Sequence, residues 1–80
     1  MLIKEASKEK GKTFFVAVLN NKEVQVFIGE VIHVVCKNAS HKAWGNVGGH
    51  CCKTINEALE KYKSSEAKQI IKAAFDFSIA

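Results

Sequence analysis

The sequence predicts an α+β domain: a three- or four-stranded antiparallel β-meander packed by a C-terminal helical segment, as one broken helix or two short helices. Three observations carry this reading. Residues 13–36 hold three apolar runs rich in β-branched and aromatic side chains, separated by short turn signals. Residues 54–75 place apolar side chains at helical spacing behind residues that cap helices. The 80 residues are 48% apolar and 25% charged. A chain of this length buries only about 60 to 65% of its unfolded surface, enough for one core and not two, so residues 1–80 form one domain.

The opening Leu2-Ile3-Lys4-Glu5-Ala6 reads as a strand, joined to residue 13 by the charged, Gly-containing loop from Ser7 to Lys12. Thr13 to Leu19 is a β-rich run that stops at Asn20-Asn21, and Glu23 to Ile28 resumes it. Asn tolerates the positive φ of a tight hairpin turn, so these two runs form a hairpin. Val31 to Cys36 is a third run, set off by Gly29-Glu30 and read as a separate strand. Asn38 to Lys53 reads as a loop or an irregular strand, with three of the five Gly and two of the three His.

Thr54-Ile55-Asn56-Glu57 matches a capping box and starts a helix whose apolar face is Ile55, Ala58, Leu59 and Tyr62. A second stripe, Ala67, Ile70, Ile71, Ala74 and Phe75, is rotated from the first by about 100° at 100° per residue, so one straight helix would not bury both. A break is expected at Ser64-Ser65, with a Ser capping a second helix that ends near Phe75. The alternating tail from Phe75 to Ile79 reads as a short edge strand or a frayed end. The expected core is Phe14, Val16, Val18, Val26, Ile28, Val34, Leu59, Ile70 and Phe75, with Phe15 and Phe27 on the other sheet face. That second face hints at a partner site or a homodimer interface.

Composition excludes several classes. The longest apolar run falls far short of the roughly 18 residues of a membrane span, and the aliphatic and aromatic content argues against disorder. Met1-Leu2-Ile3-Lys4-Glu5 has no signal-peptide pattern, which gives a cytoplasmic expectation. Cys36, Cys51 and Cys52 are then free thiols, because an odd count with an adjacent pair does not make a disulfide framework.

The chain carries twelve Lys, no Arg and a net charge of +4, and no acidic residue lies between Glu30 and Glu57. That acid-free stretch contains the only Trp, Trp44. A basic, Gly-rich loop with one large aromatic anchor suits an acidic partner. The partner-binding residues are expected to be Trp44, Lys37, His41, Lys42, Asn46 and Lys53. A lone Trp in a small domain also serves as core filler, and scattered Lys serve as solubilising charge. Nucleic-acid binding follows from the basic balance and from Phe14, Phe15 and Phe27 as stacking platforms. Against it stand the absence of Arg and the spread of Lys over the whole chain.

Cys36, His41, His50, Cys51 and Cys52 are of zinc-ligand type, but they lack the Cys-x2-Cys and His-x3-5-His spacings of the familiar sites. Adjacent Cys51 and Cys52 would point to opposite faces of a strand. No metal or cofactor is assigned. A nucleophile–base–acid set is not formed either: His50 and Cys51 are neighbours without a local acid, and Glu57 serves the cap. The expectation is a non-enzymatic chain.

The stretch from Gly48 to Leu59, with its Thr-capped Glu57-Ala58-Leu59 helix after a glycine-containing strand, resembles the strand-to-helix junction of HicB-type antitoxins. The likeness covers about twelve residues. The Pro-containing segment of that family has no counterpart here, and the same residues are also read as capping chemistry. In size and organisation the chain is similar to small anti-defence proteins of phages and mobile elements, of the anti-CRISPR type. That resemblance implies a protein that occupies a surface of a larger effector. The expectation is therefore a protein-binding module and phage-type inhibitor of a protein or ribonucleoprotein complex, meeting an acidic patch. The alternative is a small basic protein that binds RNA or single strands.

Overall fold

The computed structural model describes residues 1–44 and 48–80. Five strands, β1 (Leu2–Glu9), β2 (Lys12–Leu19), β3 (Lys22–Ile28), β4 (Ile32–Asn38) and β5 (Gly49–Cys52), form one antiparallel sheet in sequence order. Two helices follow, α1 (Ile55–Glu60) and α2 (Ser65–Ile79). The α+β class stands, with more strands than the three or four expected. The additional strand is β5, inside the segment read as loop or irregular strand: its first residue is a glycine, and four residues give too little alternation to recognise.

Turn chemistry sets the register. Lys10 and Gly11 both take positive φ, 51° and 77°, so the charged linker is a two-residue turn and β1 runs on to Glu9. Asn20, at φ 55°, makes the expected turn between β2 and β3. Gly29 answers a packing need: a Cβ there would lie 2.9 Å from Cε1 of Phe27, whose ring lies across that backbone.

One sheet face carries both helices. α2 crosses β2 and β3, and α1 packs on β4 and β5. The core is Phe15, Ala17, Val24, Val26, Ile32, Val34 and Cys52 from the sheet, with Ala58, Ala67, Ile70, Ile71 and Ala74 from the helices. Val26, Val34 and Ile70 lie where expected, and Ile28, Leu59 and Phe75 pack against the cluster. Strand β2 is inverted relative to the expectation. Phe15 is 1% exposed in the core, while Phe14, Val16 and Val18 point to the helix-free face. β2 is apolar on both faces, so alternation cannot choose between them; Ala17 faces α2, where a small side chain lets the helix approach closely.

The cap of α1 is built from two bonds. Thr54 Oγ1 accepts from the Glu57 N–H at 3.1 Å, while the Glu57 carboxylate accepts from the Lys53 N–H at 3.0 Å, one residue before the usual capping-box donor. Ser64 caps α2 by accepting from the Ala67 N–H at 3.2 Å, which places the expected break correctly. Helix α2 runs on through the tail expected as strand or frayed end. Phe77 packs 5.9 Å from Phe15, centroid to centroid, and Lys8 donates to the Ala80 carbonyl at 2.7 Å. None of the helices of the described residues is long and apolar enough to cross a membrane.

Candidate functional site

The helix-free face carries a charged cluster where β3 begins and β4 ends. Register sets Glu23 directly opposite Lys37, with Val18 on the other side of Glu23. Lys37 Nζ lies 2.9 Å from Glu23 Oε1, and Lys4 Nζ lies 2.9 Å from Oε2. The Lys37 and Glu23 side chains are 4% and 5% exposed, whereas Lys4 is 51% exposed. Burial alone would raise the Glu23 carboxyl, but the hydrogen bonds and charges of Lys4 and Lys37 outweigh it and hold the carboxyl below its ordinary value.

The segment after β4 folds back over this pair. The Ala39 N–H donates to the Asn21 carbonyl at 2.8 Å and the His41 N–H to the Asn38 carbonyl at 3.0 Å, while Lys22 Nζ donates to Asn38 Oδ1 at 3.2 Å. Lys37 also donates to the His41 carbonyl, and its ammonium lies 4.9 Å from the centroid of the Trp44 ring. Trp44 is therefore neither core filler nor a free side chain. Half-buried, it sits over a buried ammonium in a cation–π contact.

The expected partner-binding residues fall into four groups. Lys37 and Trp44 meet, and His41 joins them through its backbone while its side chain is exposed. Lys37 is a buried cation paired with Glu23, and so adds little to the surface field that the acid-free sequence suggested. Lys42 is exposed beside them. Asn46 lies outside the described residues. Lys53 is elsewhere: β5 pairs Gly49 with Val35 and Cys52 with Ile32, so Lys53 leaves at the far end of β4, about 20 Å from Lys37 at roughly 3.4 Å per residue.

Sequence reading missed Glu23 and Lys4 as members of the cluster. A signal was available for the first. Glu23 is the only acid from residue 13 to residue 29, and counting outward from a turn centred on Glu30 sets 23 opposite 37.

The Cys and His residues do not converge. Cys52 and His50 face the helices together with Cys36, His50 packing edge-on to Tyr62 at 5.4 Å, while Cys51 is exposed on the opposite face and His41 lies in the loop. Burial raises the thiols of Cys36 and Cys52. Among the described residues, no three His, Cys, Asp or Glu side chains form a metal-holding group. The chain matches no family model, no curated protein and no solved structure.

Proposed function

We propose that this chain is a non-enzymatic protein-binding module that docks on an acidic surface of a larger protein or ribonucleoprotein complex through Trp44, with exposed His41 and Lys42 beside it. The observation that carries the reading is the seating of Trp44. Its ring is held over the buried Lys37–Glu23 pair yet stays partly exposed, so a partner would meet an anchor already ordered, with little rotamer entropy left to lose. Of the lysines in the acid-free stretch, Lys42 is the exposed one beside it, with no carboxylate of that stretch to compete. The likeness of plan to small anti-defence proteins makes an effector such as a CRISPR complex the target class to try first, inhibited by occupation of its surface.

The test is capture of the complex by tagged chain at about 50 and 200 mM salt, with wild type and Trp44→Ala in parallel. A stoichiometric protein complex that survives the higher salt, and is lost in Trp44→Ala while the cooperative melt persists, is the expected result. Equal capture by the variant would remove Trp44 from the interface, and sizing of the free chain reports a homodimer directly.

A further inference from the structure

The opposite end of the helix-free face carries a second, chemically different arrangement. Register aligns Ser7, Phe14, Phe27, His33 and Cys51 in one row across all five strands, four residues and about 13 Å along β2 from the Val18–Glu23–Lys37 row. Phe14 and Phe27 are half-buried, and Phe27 lies across Gly29, where any side chain would collide with its ring. Beside the two rings is a hollow of about 290 Å³ bounded by Ser7, Glu9, Lys10 and Lys12. Lys10 and Lys12 make no ion pair or side-chain hydrogen bond among the described residues.

We propose that this hollow binds one nucleotide of a single-stranded nucleic acid. Aromatic rings on an open sheet face are stacking platforms for unpaired bases, and lysines at the rim meet the phosphates. The volume lies at the lower limit of the roughly 300–1,000 Å³ of small-ligand sites, which suits one nucleotide of a strand rather than several. Glu9 lies directly across the ladder from Lys12 and would repel a phosphate placed against it, so the backbone is met at the outer ends of the longer Lys10 and Lys12 side chains and the base lies against the shorter Glu9 and Ser7. A carboxylate there accepts from an exocyclic amine. Cytosine, adenine and guanine, which carry such an amine, are therefore preferred over thymine and uracil. His33, next in the row, offers a third ring to a neighbouring base. The inference does not rest on the role proposed for Trp44.

Fluorescence anisotropy of labelled single strands of about eight nucleotides, oligo-dC and oligo-dT, titrated with the full chain tests it. Oligo-dC is expected to bind several-fold tighter than oligo-dT, with affinity falling as salt rises from about 50 to 200 mM. Phe27→Leu, which keeps an apolar side chain but removes the ring, weakens binding about fivefold or more, and Lys12→Glu does likewise. Lys63→Glu, on the α1–α2 connection, leaves it unchanged. Glu9→Ala, which removes the acceptor, abolishes the preference for oligo-dC. No anisotropy change at low salt, or equal losses in Lys63→Glu and Lys12→Glu, would overturn the proposal by leaving at most diffuse attraction to net charge. Competition by free CMP as strong as that of the oligomer would overturn the commitment to a strand and identify a mononucleotide site.

Discussion

Lys37 shows how charge counting and charge accessibility part company at a single residue. In the sequence it is one of the cations of an acid-free stretch; in the fold its ammonium has a carboxylate, a carbonyl and an indole as its surroundings. Such a pair stabilises little against an apolar replacement but is expensive to break on one side only. Lys37→Met leaves Glu23 with the exposed Lys4 alone and is expected to destabilise by about 3 kcal/mol, whereas Glu23→Gln with Lys37→Met together recovers most of that loss in denaturant titrations. Acid reads the same cluster. Because the folded Glu23 carboxyl lies below its ordinary 4.5, its stabilising contribution is intact above that value and is lost as pH falls through the depressed folded value. Unfolding titrations carried from neutral pH down past 4.5 should therefore show a smaller acid loss in Glu23→Gln than in wild type.

Among the elements, those with a chemical start or stop were legible and those defined by alternation alone were not. Thr54 and Ser64 cap where expected because a hydroxyl before an apolar helical stripe has one use, and Asn20 turns where expected because few residues accept positive φ. Strand β2 lies one residue out of phase with the expected pattern, since Thr13 to Leu19 offers an apolar side chain to either face, and the helix packed on the Phe15–Ala17 side decides between them. The tail at Phe75-Asp76-Phe77 also satisfies two periods, and the contact of Phe77 with Phe15 selects the helical one. The site was half legible: Trp44 and Lys37 do meet, but Lys53 is removed by the strand β5 that the glycines concealed. The phase of β2 makes a sharp comparison. Phe15→Ala is expected to cost about 3–5 kcal/mol and Phe14→Ala well under half of that, measured as shifts in the denaturation midpoint at constant slope.

At the scale of the whole molecule, the sheet has two edges and two faces, and among the described residues helices occupy one face only. Short β5 gives one edge little length to offer, and β1 gives the other eight residues, all exposed, with a register shift between Ile3 and Glu5. In β1, Glu5, Ser7 and Glu9 share the helix-free face, while Lys8 is on the helix side over the Phe77 ring. Two copies joined edge to edge by a two-fold axis must match face to face. An axis at Ser7 then sets Glu5 against the other copy's Glu9, an axis at Glu5 sets that glutamate against itself, and an axis at Lys8 opposes two ammonium groups. Like charges directly opposite one another in a ladder are destabilising. The charge order of this strand thus works as a partial self-avoidance code: it disfavours the self-pairings centred on Glu5, Ser7 and Lys8 while leaving the edge readable by a strand of different order. Replacing Glu5 and Glu9 together by Thr would remove the two carboxylate oppositions and leave only that of Lys8, and light scattering of concentrated samples should then rise while wild type stays flat.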